Sequence, residues 1–279
     1  MANAKVTIAV PVYNEGEYLK KTLQSIKEQT FKDYTCLISD NCSSDKTSDI
    51  GREFAQQDER FHYFRQNENV GNVRNLVYLY EKIVTEYMMI FSGHDLIEST
   101  FLKETVGILE SRDDISLAFS KVTAIWEDDR EIRPLNEAEY NFTGESISRY
   151  LQSVATLANC TLTQGVFRKK HVEDFQFGVI CPGPDHILIS HLLWYGNVYY
   201  HDEYLYKRRF FQKREATQMK RLTGKELQSD YLLMYNAYLE DFNSLYKGDE
   251  KYRQFLNYKI TDLLTQRFGL DCLGDNYTA

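Results

Sequence analysis

Residues 6–15 read Val6-Thr7-Ile8-Ala9-Val10-Pro11-Val12-Tyr13-Asn14-Glu15. A short apolar run that ends abruptly in polar residues suits a strand buried on both faces of a parallel sheet. Just beyond it, Leu19, Leu23 and Ile26 recur at i, i+4 and i+7, the stripe of an amphipathic helix. The alternation then repeats. Tyr34 to Ser39 predicts a strand, and Lys46 to Ala55 a helix capped by Ser44 or Asp45. Phe61 to Phe64 is the next strand, and Val73, Leu76, Val77 and Tyr80 mark the next helix. Strands at Tyr87 to Phe91 and Ser116 to Phe119 flank a helix marked by Leu102, Val106 and Leu109. Strand and helix in succession, joined by short polar links, predict a Rossmann-like, mostly parallel α/β sheet flanked by helices. Ligands in such sheets bind beyond the carboxyl ends of the strands. Three polar clusters stand there: Tyr13-Asn14-Glu15, Asp40 to Asp45, and Ser92-Gly93-His94-Asp95.

After residue 120 the pattern changes. Val122 to Trp126 and Glu131 to Leu135, around Asp128-Asp129-Arg130, predict a hairpin. Ser146 to Leu157 reads as a helix, Gly165 to Arg168 as a short strand, Asp185 to Tyr195 as a strongly apolar helix and Asn197 to Tyr200 as a strand. The tail from Gly224 to about Phe268 reads as two helices rich in Tyr and Leu. Only four prolines and no low-complexity tract interrupt the 279 residues, which predicts one continuous unit. Its 43% hydrophobic and 27% charged residues exclude disorder, collagen and coiled coil as global descriptions. A net charge of −8 argues against a dedicated DNA-binding protein. Cys36, Cys42, Cys160, Cys181 and Cys272 are scattered and form no CxxC pair, so reduced thiols are expected rather than a disulfide framework or a zinc motif. The first residues lack the apolar stretch of a signal peptide, and the longest apolar runs are too short to span a bilayer. A cytoplasmic protein is expected.

At the strand ends a family resemblance emerges. Val10-Pro11-Val12-Tyr13-Asn14-Glu15 resembles the opening of the inverting family 2 glycosyltransferases of GT-A fold. The loop from Ser39 to Thr47 is similar to that family's DD-S-DxT loop, and Asn67 to Asn75 to its N-x-G-x-x-x-x-R-N segment. Gly183-Pro184-Asp185 resembles its G-E-D acceptor motif, and Leu205 to Arg209 its L-Y-x-Y-R strand. Each match alone is weak; five in family order over residues 5 to about 211 are specific. The resemblance implies a nucleotide-sugar-binding half over residues 1–120, an acceptor-binding and catalytic half over 121–223, and a C-terminal helical extension over 224–279. It implies transfer of a sugar from a nucleotide-diphosphate sugar to a hydroxyl with inversion, in polysaccharide or glycolipid biosynthesis. The expected partners are the donor and a glycan or lipid-linked acceptor, with no nucleic acid. The basic run Lys207 to Arg214, with Phe210 and Phe211, also permits a peripheral contact at the inner face of a membrane.

Roles follow from the chemistry of such a donor. The main chain around Pro11 and Tyr13 would flank the base, Asp40 would accept hydrogen bonds from base or ribose, and Glu15 would bind the ribose or order the loop. Asn72 and Arg74 would face the nucleotide, with Arg74 alternatively bracing the metal loop. Taken alone, Asp40 to Asp45 reads better as a polar turn with a helix cap; the other motifs in the series reverse that preference. The family's DxD element holds Mg²⁺ or Mn²⁺, which neutralises the leaving diphosphate. This chain has Ser92-Gly93-His94-Asp95 there, leaving His94 and Asp95 as the candidate ligands; imidazole suits Mn²⁺ better than Mg²⁺. A further metal-binding His of the family falls at Phe211. Cations such as Arg209 are candidates to share the metal's charge role on the diphosphate.

Asp185 is the expected general base toward the acceptor hydroxyl, and an N-cap is its plainer alternative. Pro184 replaces the family's Glu, and His186 or Cys181 could contribute locally. His171, His191 and His201 read as structural. Two rivals remain at this level. A sugar nucleotidyltransferase would need a Gly-rich basic first loop, where this chain has Tyr13-Asn14-Glu15-Gly16-Glu17. A non-catalytic nucleotide- or sugar-binding relative is favoured by the missing carboxylates at Ser92 and His94.

Overall fold

A computed structural model describes residues 4–135, 141–211 and 231–269. Strands β1 (Val6–Val12), β2 (Tyr34–Asp40), β3 (Phe61–Arg65) and β4 (Tyr87–Ile90) form a parallel block in the order β3-β2-β1-β4. Every residue of β2 is buried, and so is all of β1 except a partly covered Pro11. That is why these strands read as continuous apolar runs rather than alternating ones. Helices α1 (Leu19–Lys27), α2 (Thr47–Gln57), α3 (Asn72–Tyr80) and α4 (Phe101–Ser111) connect and cover them. Leu19, Leu23 and Ile26, the expected stripe of α1, are all fully buried. Lys46 rather than Ser44 or Asp45 takes the N-cap position of α2. Asp45 still serves that turn, accepting from the backbone N–H of Thr47 at 3.0 Å and of Gly16 at 2.8 Å.

The sheet continues as a mixed one. Two short strands, β5 (Leu96–Ile97) and β8 (Val166–Arg168), join two long ones, β6 (Ile115–Ile125) and β9 (Asn197–Arg209). The full order is β3-β2-β1-β4-β8-β6-β9-β5, with β7 (Glu131–Leu135) paired to β6 as the arm of the expected hairpin. β8 lies antiparallel between β4 and β6, so the parallel character ends there. The sequence divides β6 at Ser120-Lys121, yet the strand runs through. The polar pair coincides with a register shift against β9, which absorbs it without ending the strand.

A second core lies beside the sheet, where α5 (Ser146–Thr156) and α6 (Pro184–Tyr195) pack with α7 (Tyr231–Leu245) and α8 (Glu250–Phe268). Tyr150, Val154, Ile187, Met234, Tyr238, Phe242, Leu256 and Ile260 fill it. Along α6, Leu188, Ile189, Leu192 and Leu193 belong instead to the sheet's core. A helix buried between two cores has no solvent face, and all residues from Ile187 to Leu193 are buried. None of the described helices is long and apolar enough to cross a membrane.

Gly165 precedes β8 where two chain segments meet. A Cβ there would stand 2.6 Å from the carbonyl oxygen of Ala118 and 3.0 Å from that of Leu162. The Ala118 backbone cannot retreat without disturbing β6, and Leu162 sits in the 3-10 turn at Thr161–Gln164 just before β8. Gly165→Ala is therefore expected to cost about 1–3 kcal/mol, the usual range for forced overpacking, read as a lower denaturation midpoint with an unchanged slope.

Candidate active site

The carboxyl ends of β1, β2 and β4 open into a cavity of about 550 Å³, closed on its far side by α6 and α7. That size is ordinary for a small-ligand site. Pro11, Tyr13, Glu15, Asn41, Asn69 and Asn72 line one end. Ser92, Gly93, His94 and Gln164 form the middle, and Phe175, Phe177, Asp185, Ile187, Glu240 and Asp241 the other end. The strands end level, with Val12 paired to Asp40, which is what brings the loops together. Gly93 is needed for their closeness, since a Cβ there would lie 2.6 Å from Val12 Cγ1 and 3.1 Å from Glu15 Cγ.

Of the residues singled out by sequence, Pro11, Tyr13, Glu15, Asn72, His94 and Asp185 line this cavity. Asp40, Arg74, Asp95 and Arg209 do not. Asp40 is fully buried, and its carboxylate is filled from within. Oδ1 accepts from the Ser43 N–H at 2.8 Å, while Oδ2 accepts from Ser48 Oγ at 2.6 Å, Tyr63 Oη at 2.7 Å and Arg65 Nη1 at 2.6 Å. Burial alone would raise this carboxyl, but the bonds from Ser43, Ser48 and Tyr63 outweigh it and hold it below the ordinary value. The neighbouring Asn41 lines the cavity in its place. Its Oδ1 accepts from the Val70 N–H at 2.9 Å and its Nδ2 donates to Asn69 Oδ1 at 2.9 Å, tying two lining loops together. Arg74 is exposed on α3. The adjacent Asn75 is buried, reaches the cavity wall and donates from Nδ2 to the Ser39 carbonyl at 2.8 Å.

The expected metal pair also divides. Asp95 is buried, with Oδ2 accepting from Tyr206 Oη at 2.6 Å and Oδ1 from the Arg209 N–H at 2.8 Å. Arg209 is equally committed. Its Nε donates to the His94 carbonyl at 2.7 Å, and its Nη1 to the Trp126 and Glu127 carbonyls at 2.9 and 3.1 Å. Its Nη2 pairs with Asp129 at 2.6 Å. Both residues build the loop and leave no group for the ligand. The ligand-type side chains that do face the cavity here are His94 and Glu15, with Nδ1 and Oε1 2.8 Å apart. One imidazole and one carboxylate fit a divalent ion, and Mn²⁺ better than Mg²⁺. Phe211 packs edge-on against the His94 ring at 5.0 Å and against Tyr18 at 5.4 Å, a packing role in place of the expected family ligand. Lys213 and Arg214, the end of the basic run, lie outside the described residues, as does Cys272. Among the described residues, the cavity wall carries Glu15, Asp185, Glu240 and Asp241 but no Lys or Arg.

At the far end, α6 starts with Gly183 at φ +67° as its N-cap and Pro184 in the first turn. Asp185 is thus inside the first turn rather than the cap, exposed to the cavity and favoured there by the helix dipole. Cys160 and His186 stand beside it. Burial pushes the Cys160 thiol far up and the Cys181 thiol up to about 12, and it lowers His186. Deeper in the wall, His191 is fully buried between two carboxylates, Asp241 at 2.6 Å from Nδ1 and Asp174 at 3.1 Å from Nε2. Burial raises Asp241 although His191 and Tyr150 bond to it. Asn41, Gln164, Glu240 and Asp241 escape a sequence reading. Asn41 sits inside a quoted loop, whereas Gln164 and the α7 acids carry no local signal.

One cavity thus joins strand-end loops, a loop with metal-type ligands and a carboxylate on a facing helix. The profile of glycosyl transferase family 2 matches residues 7–175, and the chain belongs to that family. MJ1057, a glycosyltransferase of Methanocaldococcus jannaschii, is 29% identical over 147 residues, covering 52% of this chain and 50% of its own length. The GalNAc(5)-diNAcBac-PP-undecaprenol β-1,3-glucosyltransferase of Campylobacter jejuni is 37% identical over 68 residues, 24% of this chain and 22% of its own. The chain thus spans half or less of these curated relatives. Staphylococcus aureus TarS 1–349 in complex with UDP-GlcNAc superposes with a TM-score of 0.67 at 15% identity, over 95% of this chain and 74% of that one. The fold is of that GT-A type.

The neighbours Asp40 and Asn41 should separate on testing. Asp40→Asn is expected to lower stability by about 1.5–3 kcal/mol, the worth of hydrogen bonds to a charged group, with nucleotide affinity of the folded protein little changed. Because the folded pKa is depressed, this contribution is present above the ordinary 3.8 and fades as pH falls through the lower folded value. The acid limb of the stability profile should therefore flatten in the variant. Asn41→Ala should instead weaken nucleoside diphosphate binding by calorimetry, by roughly 1–2 kcal/mol.

Proposed function

We propose that this protein transfers a glycosyl group from a nucleotide-diphosphate sugar to an acceptor hydroxyl, with inversion at the anomeric carbon. The observation that carries the proposal is the single cavity that holds Asp185 on α6 opposite the strand-end loops of Tyr13, Asn41 and His94. The loops of β1 and β2 bind the nucleoside, with Tyr13 and Asn41 at the base and Asn72 beyond. Residues 1–120 supply most of this donor end, and the parts beyond supply the acceptor end. The aromatic side chains Phe175 and Phe177 offer flat faces to a sugar ring there.

Glu15 and His94 would hold a divalent ion, which when bound supplies positive charge to the leaving diphosphate. The described wall has no Lys or Arg to do this instead, so the acidic cavity favours a donor that arrives with its own countercharge. Asp185 accepts the proton of the acceptor hydroxyl as that oxygen attacks the face of the sugar opposite the diphosphate. A cavity-facing carboxylate in the first turn of α6 is placed to do this. Polysaccharide or glycolipid assembly is the setting in keeping with the relatives, one of which is named for an undecaprenol-linked acceptor. The diversion of Asp95 into the loop favours a second reading, a nucleotide-binding relative without transfer.

One variant decides between them. Asp185→Asn keeps size and should leave nucleoside diphosphate binding intact. It should slow transfer, or slow hydrolysis of the donor by water, by about 10²–10⁴, the usual worth of a positioned base. Equal turnover by variant and parent would remove Asp185 from the mechanism. Tight nucleotide binding with no turnover by the parent on any donor and acceptor would establish the second reading.

A further inference from the structure

The beginning of α6 holds a constellation that sugar transfer does not call for. Cys160 comes from the segment before a 3-10 turn at Thr161–Gln164, and Asp185 and His186 open the helix. The Cys160 sulfur, an Asp185 carboxylate oxygen and a His186 ring nitrogen all lie within 4.8 Å of one another. Bonds of about 2.0–2.3 Å to a tetrahedral ion place its ligands roughly 3–4 Å apart, so rotamer adjustments of an ångström or so close the set. We propose that Cys160, Asp185 and His186 form a binding site for a soft divalent cation of the Zn²⁺ class, whose occupancy withdraws Asp185 from proton transfer.

Two observations point to a ligand. The Nδ1 atom of His186 is buried and has no hydrogen-bond partner, although it stands beside a thiol and a carboxylate. The donor set is the second. One sulfur, one imidazole and one carboxylate select zinc over magnesium, and three protein ligands leave a fourth position for water. The nearby guanidinium groups are engaged elsewhere and do not compete for the carboxylate. Arg208 donates to Asn159 Oδ1 at 3.0 Å and Thr161 Oγ1 at 2.6 Å, and Arg267 donates to the carbonyls of Val154 and Leu157. Cysteine spacing gives no hint of this site because the fold, not the local sequence, brings its ligands together.

Glu15 and His94 make a harder, thiol-free pair, so the two positions sort metals by chemistry. Zn²⁺ would hold the transferase inactive while Mg²⁺ or Mn²⁺ supports donor binding at the other loop. The inhibitory half of this proposal rests on Asp185 as the base; the binding half does not.

Binding is therefore measured first, without nucleotide or acceptor. Equilibrium dialysis of the full chain with Zn²⁺ is expected to show one equivalent that excess Mg²⁺ does not displace. Cys160→Ser and His186→Gln should each weaken it by roughly tenfold or more, as loss of a ligand or its support does. Co²⁺ in place of Zn²⁺ should give a thiolate charge-transfer band in the near ultraviolet, absent in Cys160→Ser. Zinc uptake that is unchanged in both variants, or a cobalt complex without that band, overturns the site. A melting curve on each variant shows that it is folded before dialysis. Zinc that binds with these properties yet leaves transfer untouched refutes Asp185 as the base and keeps the site. No zinc binding, with transfer still abolished in Asp185→Asn, refutes the site and keeps the base.

Discussion

A single buried cation organises the centre of this molecule. The Arg209 guanidinium is withdrawn from water at the end of β9, and its donors reach the carbonyls of His94, Trp126 and Glu127 and the carboxylate of Asp129. Its Cζ lies 4.9 Å from the centre of the Tyr18 ring, and the residue's backbone N–H holds Asp95. The strand-end loop, the β6–β7 hairpin and the start of α1 are thereby fastened to one residue. A buried ion is tolerated when its charge is matched; here Nε and Nη1 are hydrogen-bonded, and Nη2 faces Asp129 Oδ1 as an ion pair out of hydrogen-bond alignment. Lys21, from α1, meets the same Asp129. The position of His94 over the cavity follows from this clamp, since its backbone carbonyl is one of the points gripped.

Such an arrangement explains which parts of the protein were legible in the sequence. The parallel block was, because strands buried on both faces leave an unbroken apolar signature and their helices a regular stripe. The loops were too, because polar residues at strand ends have few other reasons to cluster. What the loops withheld was the side on which each side chain falls. Asp40 against Asn41, Arg74 against Asn75 and Asp95 against His94 are pairs of neighbours, and in each the residue with the more obvious chemistry serves the fold or faces away from the cavity. Successive side chains near a strand end point to opposite sides, and successive ones on a helix such as α3 are turned by roughly 100°. A motif does not record which of them faces the cavity. The acids of α7 were invisible for another reason. Their approach to the cavity depends on how the C-terminal helices dock against α5 and α6, contacts made far apart in sequence.

The electrostatics of the wall are equally a product of packing. Four carboxylates face one cavity, and a fifth, Asp174, shares the buried His191 with Asp241. Repulsion among them is contained by distributing partners. Asp241 is bonded by His191 and Tyr150 and Glu15 by His94, whereas Asp185 accepts from the His186 N–H at 3.2 Å and still faces the cavity with Glu240. The cavity is therefore acidic without being uniformly committed, a condition that suits cationic or metal-bound ligands.

The double allegiance of α6 has a consequence for how such a protein can diversify. Ile187 is sealed into one hydrophobic core and Leu188 into the other, so the helix bearing Asp185 cannot be detached with either half. Exchange of whole halves between relatives would have to remake two interiors at once. New specificity is more readily reached one wall residue at a time, on the loops after the strands and on the cavity face of α7. In a lineage built this way, ligand preferences would drift by point substitution around a shared central helix, rather than by the shuffling of modules.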